Sequence, residues 1–246
     1  MTSDTRGPLV LVGGAEFLPG NEPHDTLVAD AAGDGPVLVI ATAAVRQDPD
    51  AAVRTARGWF AGLGVEAVEL PMRGRRQASD PATIAAAGNG RAFYLCGGDP
   101  GLVVKLLAGT PGWDAVVDAW RGGAAVAGSS AGAMALGEWT LIRSGLSHAR
   151  RRFASALGIV PGVAVVPHFE EFGESWLPSL RAARRDSTLL GLDTRTAAVW
   201  RPSLGWRAMG RGRVIVLDGD ERREAMSGGR VVRLRAPARR PRAPGT

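Results

Sequence analysis

Short apolar segments alternate with amphipathic segments along the first two thirds of the chain. Six of them are rich in β-forming residues and mostly apolar throughout: Pro8–Val12, Val37–Ala41, Val65–Leu70, Ala92–Cys96, Ala124–Ala127 and Val163–Val166. Runs of this kind are typical of strands that are buried on both faces of a parallel sheet. The pattern therefore predicts βαβ units, with a mainly parallel sheet flanked by helices.

Four helix starts are marked by a capping side chain followed at once by proline. They are Asp48-Pro49, Asp80-Pro81, Asp99-Pro100 and Thr110-Pro111. Asp and Thr side chains accept hydrogen bonds from the first backbone N–H groups of a helix, and proline at the first helical position loses no hydrogen bond there. Helical stretches such as Ala51–Leu63 are then predicted between the strands.

After Thr196 the pattern changes to short apolar segments separated by Gly-rich turns, which predicts antiparallel strands at the C-terminal end. These segments are Ala197–Trp200, Trp206–Met209, Arg213–Leu217 and Arg230–Leu234. Residues 235–246 are rich in Pro and Arg and have no apolar periodicity, so they are predicted to be a disordered basic tail. We therefore predict a single α/β domain over residues 1–234.

The positive charge of the chain is concentrated at its C-terminal end. The chain has 246 residues, 45% of them hydrophobic, and a net charge of +6. Residues 222–246 contain eight of the 30 basic side chains and one of the 24 acidic ones, which leaves 22 basic and 23 acidic side chains in residues 1–221. Because the remainder is nearly neutral, nucleic-acid binding is not predicted as a main function.

Other classes of protein are disfavoured by simple counts. The longest apolar stretch, Val37–Val45, is well below the roughly 18 residues of a membrane span, and no signal peptide is apparent, so we expect a cytoplasmic protein without membrane association. The single cysteine, Cys96, and three well-separated histidines predict neither a disulfide nor a metal centre. No cofactor is expected.

The motif G-x-S-x-G occurs at Gly128-Ser129-Ser130-Ala131-Gly132, between the predicted strand Ala124–Ala127 and a segment that can form a helix. This context of strand, turn and helix is the one in which the motif presents a nucleophilic serine. Ser130 is the central residue, whereas Ser129 would be flanked by alanines where the motif needs glycines. The alternative interpretation is that these small residues only let a helix pack closely on the sheet.

A nucleophilic serine needs a general base, and His168 is the best placed of the three histidines. His168 follows Val163–Val166, and Ser130 also follows a strand, so both are expected at the carboxyl ends of strands, where ligands bind in open parallel sheets. Arginines beside His148 disfavour the imidazolium that a base must become. His24 follows the first strand in a predicted loop. The alternative for His168 is an ordinary surface histidine.

An oxyanion hole is expected from backbone N–H groups. One donor should be Ala131, the residue after the serine. The second is expected from Gly97-Gly98-Asp99, because this segment leaves the strand Ala92–Cys96 at the same end of the sheet and its glycines allow a close approach to substrate. The alternative is a tight turn into the helix that Asp99 caps.

Taken together, these residues resemble the serine peptidases that include cyanophycinase and dipeptidase E (aspartyl dipeptidase). The resemblance rests on Gly13-Gly14, Gly97-Gly98-Asp99, the motif around Ser130, Leu157-Gly158-Ile159-Val160-Pro161-Gly162, Pro167-His168-Phe169 and Gly191-Leu192-Asp193. It implies a fold like that of class I glutamine amidotransferases. It also implies Ser130 as nucleophile, His168 as general base, and Gly98 and Ala131 as oxyanion donors.

The third member of a catalytic triad is not obvious. Family members often carry an acid directly after the Gly-(Ile/Leu)-Asp step, where this chain has Thr194. Asp193 is the nearest carboxylate to that position, so it is the preferred candidate over Glu170, Glu171 and Glu138.

The function predicted in this way is hydrolysis of short peptides through an acyl-enzyme on Ser130, as in dipeptidase E. Cyanophycinase itself is disfavoured, because Pro100 stands where cyanophycinases have glutamine and residues 170–171 are acidic where they have basic residues. A substrate with an N-terminal acidic residue is preferred, with Arg143 and Asp99 as candidate substrate-binding residues.

Other interpretations of the same residues stay open. The arginines at 143 and 150–152 can equally belong to a solvated loop, and the glutamates after His168 would repel an acidic substrate. The chain can also be another serine acyl hydrolase, or an amidotransferase-like binding domain without catalysis. Formation of a homo-oligomer is compatible with the sequence.

Overall fold

The structure, a computed structural model, describes residues 4–143, 151–183 and 187–238. Its strands are, in chain order, β1 (Leu9–Val12), β2 (Val37–Ile40), β3 (Ala67–Glu69), β4 (Ala92–Leu95), β5 (Ala125–Ser129), β6 (Gly137–Arg143), β7 (Arg151–Ser155), β8 (Val160–Val166), β9 (Thr188–Leu192), β10 (Thr196–Arg201), β11 (Gly205–Gly210), β12 (Val214–Asp218) and β13 (Glu221–Ala225). Its helices are α1 (Glu22–Ala32), α2 (Pro49–Gly62), α3 (Pro81–Asn89), α4 (Pro100–Leu107), α5 (Pro111–Arg121), α6 (Ala131–Leu136) and α7 (Leu177–Ala183).

The first sheet contains five of the six predicted parallel strands; the sixth, Val163–Val166, is part of β8 in a second sheet. Its order is β11-β10-β1-β5-β4-β2-β3, with β1, β5, β4, β2 and β3 parallel and with β10 and β11 antiparallel at one edge. The α/β class, the mainly parallel sheet and the antiparallel C-terminal strands are therefore confirmed. Strands β1, β2, β4 and β5 are fully buried, whereas the edge strand β3 is partly exposed. In β1, for example, Leu9 and Leu11 enter one apolar cluster while Val10 and Val12 enter another on the opposite face.

A second sheet, of order β13-β12-β9-β8-β6-β7, was not anticipated from the apolar pattern. The interpretation of Arg230–Leu234 as a strand was wrong, since Arg230 forms only an isolated bridge with Arg207 and β13 is the neighbour of β12. Strand β13 has the sequence ERREA and is largely exposed, so no pattern of apolar residues marks it as a strand. The second sheet presents the carboxyl end of β8 close to the carboxyl end of β5.

The four predicted helix starts are confirmed by their capping hydrogen bonds. The side chains of Asp48, Asp80 and Asp99 each accept from a backbone N–H in the first turn of α2, α3 and α4 at 2.8–2.9 Å. The hydroxyl of Thr110 accepts from the first turn of α5 at 3.4 Å. His24, which was expected in a loop, lies buried in α1.

The first four residues of the predicted tail pack against the body of the protein. The indole Nε1 of Trp206 donates to the carbonyl of Arg235 at 2.8 Å, and the N–H of Ala238 donates to the carbonyl of Ile159 at 2.7 Å. The guanidinium of Arg6 donates to the carbonyl of Pro237, which is buried. Residues 235–238 are therefore part of the folded unit, and residues 239–246 lie outside the described residues.

None of the helices in the described ranges is long and apolar enough to cross a membrane.

Candidate active site

Ser130 lies on a sharp turn between β5 and α6, with backbone angles φ 48° and ψ −110°. L residues rarely adopt this conformation, and such strain is concentrated at functional sites. A side chain at Gly128 or Gly132 would collide with the neighbouring backbone, because a Cβ there would lie 2.7 Å from Gly132 C or 2.3 Å from Leu95 O. The two glycines thus let α6 pack closely on the sheet and hold Ser130 at the turn.

His168 directly faces the hydroxyl of Ser130. Its Nε2 lies 3.3 Å from the Ser130 Oγ, which is hydrogen-bonding distance for a base and a nucleophile. The backbone of His168 is also held in a left-handed conformation, with φ 48°, and its N–H donates to the carbonyl of Gly13 at 2.8 Å. The second sheet thereby brings the histidine to the serine across 38 residues of chain.

Two aromatic side chains, Phe172 and Trp176, pack in series on one face of the His168 imidazole ring. The ring of Phe172 stacks on His168, with 4.9 Å between centroids and 22° between planes. Phe172 in turn contacts Trp176 at 5.3 Å, and the guanidinium of Arg151 lies 4.2 Å from the Trp176 ring centroid. The histidine ring is therefore oriented by packing as well as by its backbone.

Within the described residues, the carboxylate nearest to the second ring nitrogen of His168 belongs to Glu171. Glu171 Oε2 lies 3.5 Å from His168 Nδ1, and the Glu171 side chain is 53% exposed. Asp193, the residue preferred from the sequence, has a different partner: its Oδ2 accepts from the backbone N–H of Arg213 at 2.8 Å and from the guanidinium at 3.0 Å. This contact raises the pKa of Arg213.

Thr194, at the position where family members often have an acid, donates hydrogen bonds to Glu170. The carboxylate of Glu170 accepts from the Thr194 backbone N–H at 2.8 and 3.0 Å and also from its hydroxyl. The charge of Glu170 is thus directed towards Thr194.

The backbone N–H groups expected for an oxyanion hole belong to Gly98, which lines the same cavity as Ser130, and to Ala131, which follows Ser130 in the chain. Gly98 is exposed and has φ 140°, and a Cβ at this position would lie 2.3 Å from the carbonyl oxygen of Ala43. The N–H groups on either side of Gly98 are engaged, that of Gly97 by Glu16 and that of Asp99 by Ala43. The N–H of Gly98 has no acceptor within the described residues. Neither has the N–H of Ala131, at the first position of α6.

A cavity of about 730 Å³ opens in front of Ser130 and His168. Its lining includes Gly98 and Asp99, and three cationic side chains that come from different elements: Arg46, Lys105 and Arg151. One oxygen of Asp99 is committed to capping α4, where it accepts from Gly101 N–H at 2.8 Å. Neither of the two glutamates after His168 lines this cavity.

The arginines and the histidine between nucleophile and base are only partly described. The backbone of Arg143 ends β6, where it pairs with Arg151, but its side chain lies outside the described part of the structure. His148 and Arg150 lie outside the described residues altogether. Arg46 and Lys105 were not singled out from the sequence, although Arg46 follows β2 and so lies at the same end of the sheet as Ser130.

A serine on a strained strand-to-helix turn, hydrogen-bonded to a histidine beside free backbone N–H groups, has the arrangement of a serine hydrolase. The sequence profile of Peptidase family S51 matches residues 9–201. The chain belongs to this family and is a serine peptidase of the cyanophycinase and peptidase E type.

Several known proteins are similar over most of this chain. Cyanophycinase of Synechococcus elongatus is 30% identical over 224 residues, which cover 88% of this chain and 69% of the relative. Cyanophycinase of Trichormus variabilis is 30% identical over 226 residues, covering 88% and 75%. A crystal structure of a peptidase from an acI-B1 Actinobacterium has a TM-score of 0.81 at 29% identity, covering 92% of this chain and 97% of that one.

A putative peptidase E protein from Listeria monocytogenes EGD-e shares the fold, with a TM-score of 0.53 at 14% identity and coverage of 89% and 98%.

Proposed function

We propose that this protein hydrolyses short peptides through an acyl-enzyme on Ser130, with His168 as the general base. The observation that carries the proposal is the 3.3 Å contact between Ser130 Oγ and His168 Nε2 at a serine held with φ 48°. A base must be within hydrogen-bond reach of the proton that it removes, and this contact meets that requirement.

The reaction takes place in two steps at the same serine. His168 Nε2 takes the Ser130 hydroxyl proton while Oγ attacks the peptide carbonyl carbon, and the N–H groups of Gly98 and Ala131 stabilise the negative oxygen. The C–N bond then breaks, and the leaving amine receives that proton from His168. A water molecule then loses a proton to His168 and attacks the acyl carbon, the bond between that carbon and Ser130 Oγ breaks, and His168 returns the proton to Oγ as the acid product leaves.

Glu171 is the residue that we propose as the orienting carboxylate. For His168 Nε2 to accept a proton, the neutral ring must carry its proton on Nδ1, and Nδ1 lies 3.5 Å from Glu171 Oε2. A negative charge there stabilises the imidazolium that forms during the reaction. Asp193 was the prediction from the sequence, and its contact with Arg213 supports a structural role instead.

The charge of the cavity supports an acidic substrate residue. Among the described residues of its lining, three are cationic, Arg46, Lys105 and Arg151, and one is acidic, Asp99. A substrate carboxylate therefore meets a net positive charge from this part of the lining. The argument against an acidic substrate was the pair of glutamates after His168, and their carboxylates are directed to Thr194 and to the His168 ring.

The size of the cavity also supports short substrates. A volume of about 730 Å³ is in the range of sites that enclose small ligands, so a dipeptide or tripeptide fills it. We therefore propose peptides with an N-terminal Asp or Glu as substrates.

Labelling with a fluorophosphonate probe tests the nucleophile without knowledge of the substrate. In this reaction Ser130 Oγ bonds to phosphorus, fluoride leaves, and the proton goes to His168. We expect labelling of the native protein and of Ser129→Ala, and no labelling of Ser130→Ala. Labelling that persists in Ser130→Ala, or none in the native protein, would contradict the proposal.

A dipeptide panel then tests the substrate class. We expect Asp-Xaa and Glu-Xaa to be cleaved faster than Ala-Xaa and Arg-Xaa, with the preference weakened by Lys105→Ala. A preference for Arg-Xaa would overturn the acidic-substrate proposal, and turnover of esters without peptides would favour another serine acyl hydrolase.

A further inference from the structure

The loop after β1 places the carboxylate of Glu16 between two segments of the candidate active site, the one at Gly97 and the one at Ser129. In this loop Gly14, Ala15 and Phe17 all have positive φ, at 120°, 55° and 60°. The two non-glycine residues that flank Glu16, Ala15 and Phe17, both have this conformation, which is costly for them and persists only where the surroundings enforce it.

The loop is anchored on both sides of Glu16. The ring of Phe17 packs against Tyr94 of β4 at 4.9 Å and against Phe60 at 6.0 Å. The side-chain amide of Asn21 donates to the carbonyl of Ala15 at 2.7 Å. These contacts fix the direction in which the Glu16 side chain leaves the backbone.

Each oxygen of the Glu16 carboxylate accepts one hydrogen bond from a different part of the site. Oε1 accepts from the backbone N–H of Gly97 at 2.8 Å, and Oε2 accepts from the Ser129 hydroxyl at 2.8 Å. Gly97 precedes the oxyanion donor Gly98, and Ser129 precedes Ser130. A Cβ at Gly97 would lie 2.7 Å from Glu16 Oε1, so a side chain at position 97 would displace the Glu16 carboxylate.

We propose that Glu16 is a positioning residue that sets the distance between the oxyanion donor of Gly98 and the Ser130 hydroxyl. This inference rests on the proposed function, because it concerns the same nucleophile. Glu16 touches neither substrate nor the reacting atoms, and it acts through the two residues that it ties together. It also accepts from the N–H of Gly97, so the free N–H in this segment is that of Gly98.

The expected signature is a loss of turnover without a loss of substrate binding. An error of about 1 Å in the placement of reacting groups costs on the order of 10²-fold, and loss of one oxyanion donor costs about 10²- to 10³-fold. For Glu16→Ala we therefore expect the fluorophosphonate labelling rate and kcat to fall about 100-fold, with KM changed less than about threefold.

The conservative variant distinguishes positioning from general packing. In Glu16→Gln the amide oxygen can still accept from Gly97, and the amide nitrogen can donate to the Ser129 hydroxyl, which is both donor and acceptor. We expect this variant to stay within about fivefold of the native rate. Glu16→Asp is one methylene too short to reach both partners, and we expect roughly a tenfold loss.

A matched control removes another carboxylate of the same region. Glu22 Oε2 accepts from the N–H of Gly20 at 2.6 Å and does not contact Gly97 or Ser129. Glu22→Ala therefore removes a charge and a loop hydrogen bond but leaves the hydrogen bonds of Glu16 to Gly97 and Ser129 in place. We expect its fluorophosphonate labelling rate to stay within twofold of native.

The results separate this inference from the proposed function. If the native protein is not labelled at Ser130, the proposed function fails. If it is labelled and Glu16→Asp and Glu16→Ala react at the native rate, only the role of Glu16 is overturned. Equal losses in Glu16→Gln and Glu16→Ala, or a rise in KM with kcat unchanged, would also overturn it. Should Glu16→Ala fail to fold, Glu16→Asp and Glu16→Gln give the same decision.

Discussion

Replacing Glu171 by Gln tests which carboxylate assists His168. The change keeps the shape of the side chain and removes the charge that lies 3.5 Å from His168 Nδ1. Two unit charges 4 Å apart interact by about 1 kcal/mol in water and about 4 kcal/mol near a protein surface. Because the Glu171 side chain is 53% exposed, screening places the effect at the lower end, about 1–2 kcal/mol.

In rate terms this corresponds to a fall in kcat of about 5- to 30-fold for Glu171→Gln. The measurement is steady-state hydrolysis of an Asp-Xaa dipeptide, together with the fluorophosphonate labelling rate. Glu170→Gln is the matched control, because it neutralises the adjacent carboxylate, whose partner is Thr194, and it should stay within about twofold of native.

The same assays are applied to Asp193, the residue that was preferred from the sequence as the third member of the triad. In Asp193→Asn we expect a lower Tm, because Arg213 loses the closer of its two carboxylate partners among the described residues and keeps Glu224, with kcat within about threefold of native. A loss of about 10⁴-fold in Asp193→Asn is the value typical of a triad acid, and it would refute the assignment to Glu171. Unchanged kcat in Glu171→Gln would refute it as well.

Three further outcomes follow from particular contacts. Burial raises the pKa of Asp25 from 3.8 to about 8, so the folded state keeps a proton there that the unfolded state loses above about pH 4. Asp25 therefore lowers stability by up to about 1.4 kcal/mol per pH unit between pH 4 and 8, whereas buried His24, whose pKa falls to about 4, acts in the opposite direction below about pH 6.5. Asp25→Asn, which still accepts from Trp59 Nε1, should remove the decline between pH 7 and pH 8 in urea unfolding, a range in which His24 is mostly neutral in both states. Truncation after Leu234 deletes three hydrogen bonds to the body and should lower Tm by roughly 5–10 °C, whereas truncation after Ala238 should not change Tm measured by calorimetry. Phe172→Leu removes the ring that stacks on His168 and should lower kcat about 2- to 10-fold with little change in Tm, because Phe172 is 42% exposed.

Features that depend on a few neighbouring residues were predictable from the sequence. The Asp-Pro and Thr-Pro pairs marked four helix starts because a cap and a proline act within one helical turn. The glycines around Ser130 indicated a strand-to-helix turn, since only small residues allow the close packing seen there. The uniform apolar strands indicated a parallel sheet, because both of their faces must be covered.

Strands without an apolar signal were not predictable in the same way. Strand β13 is exposed and charged, and it forms only because β12 offers it an edge to pair with. The four residues from 235 to 238 have no periodicity, yet their carbonyl and N–H groups bind partners at Trp206, Ile159 and Arg6. Backbone hydrogen bonding of this kind leaves no pattern in the side chains.

The sequence by itself determined the α/β class, the serine at the turn and the histidine at a strand end, because each has a local pattern of apolar, small or capping residues. Only the tertiary structure decided that Asp193 binds Arg213 while Glu171 approaches His168. In the sequence both were candidates, because Asp193 directly precedes Thr194 and Glu171 follows His168 by three residues. The tertiary structure alone brought Glu16 to Gly97 and Ser129, 81 and 113 residues away. The partner of a charged side chain depends on the direction in which that side chain points and on which distant segments fold next to it. The spacing of neighbouring residues in the sequence specifies neither of these.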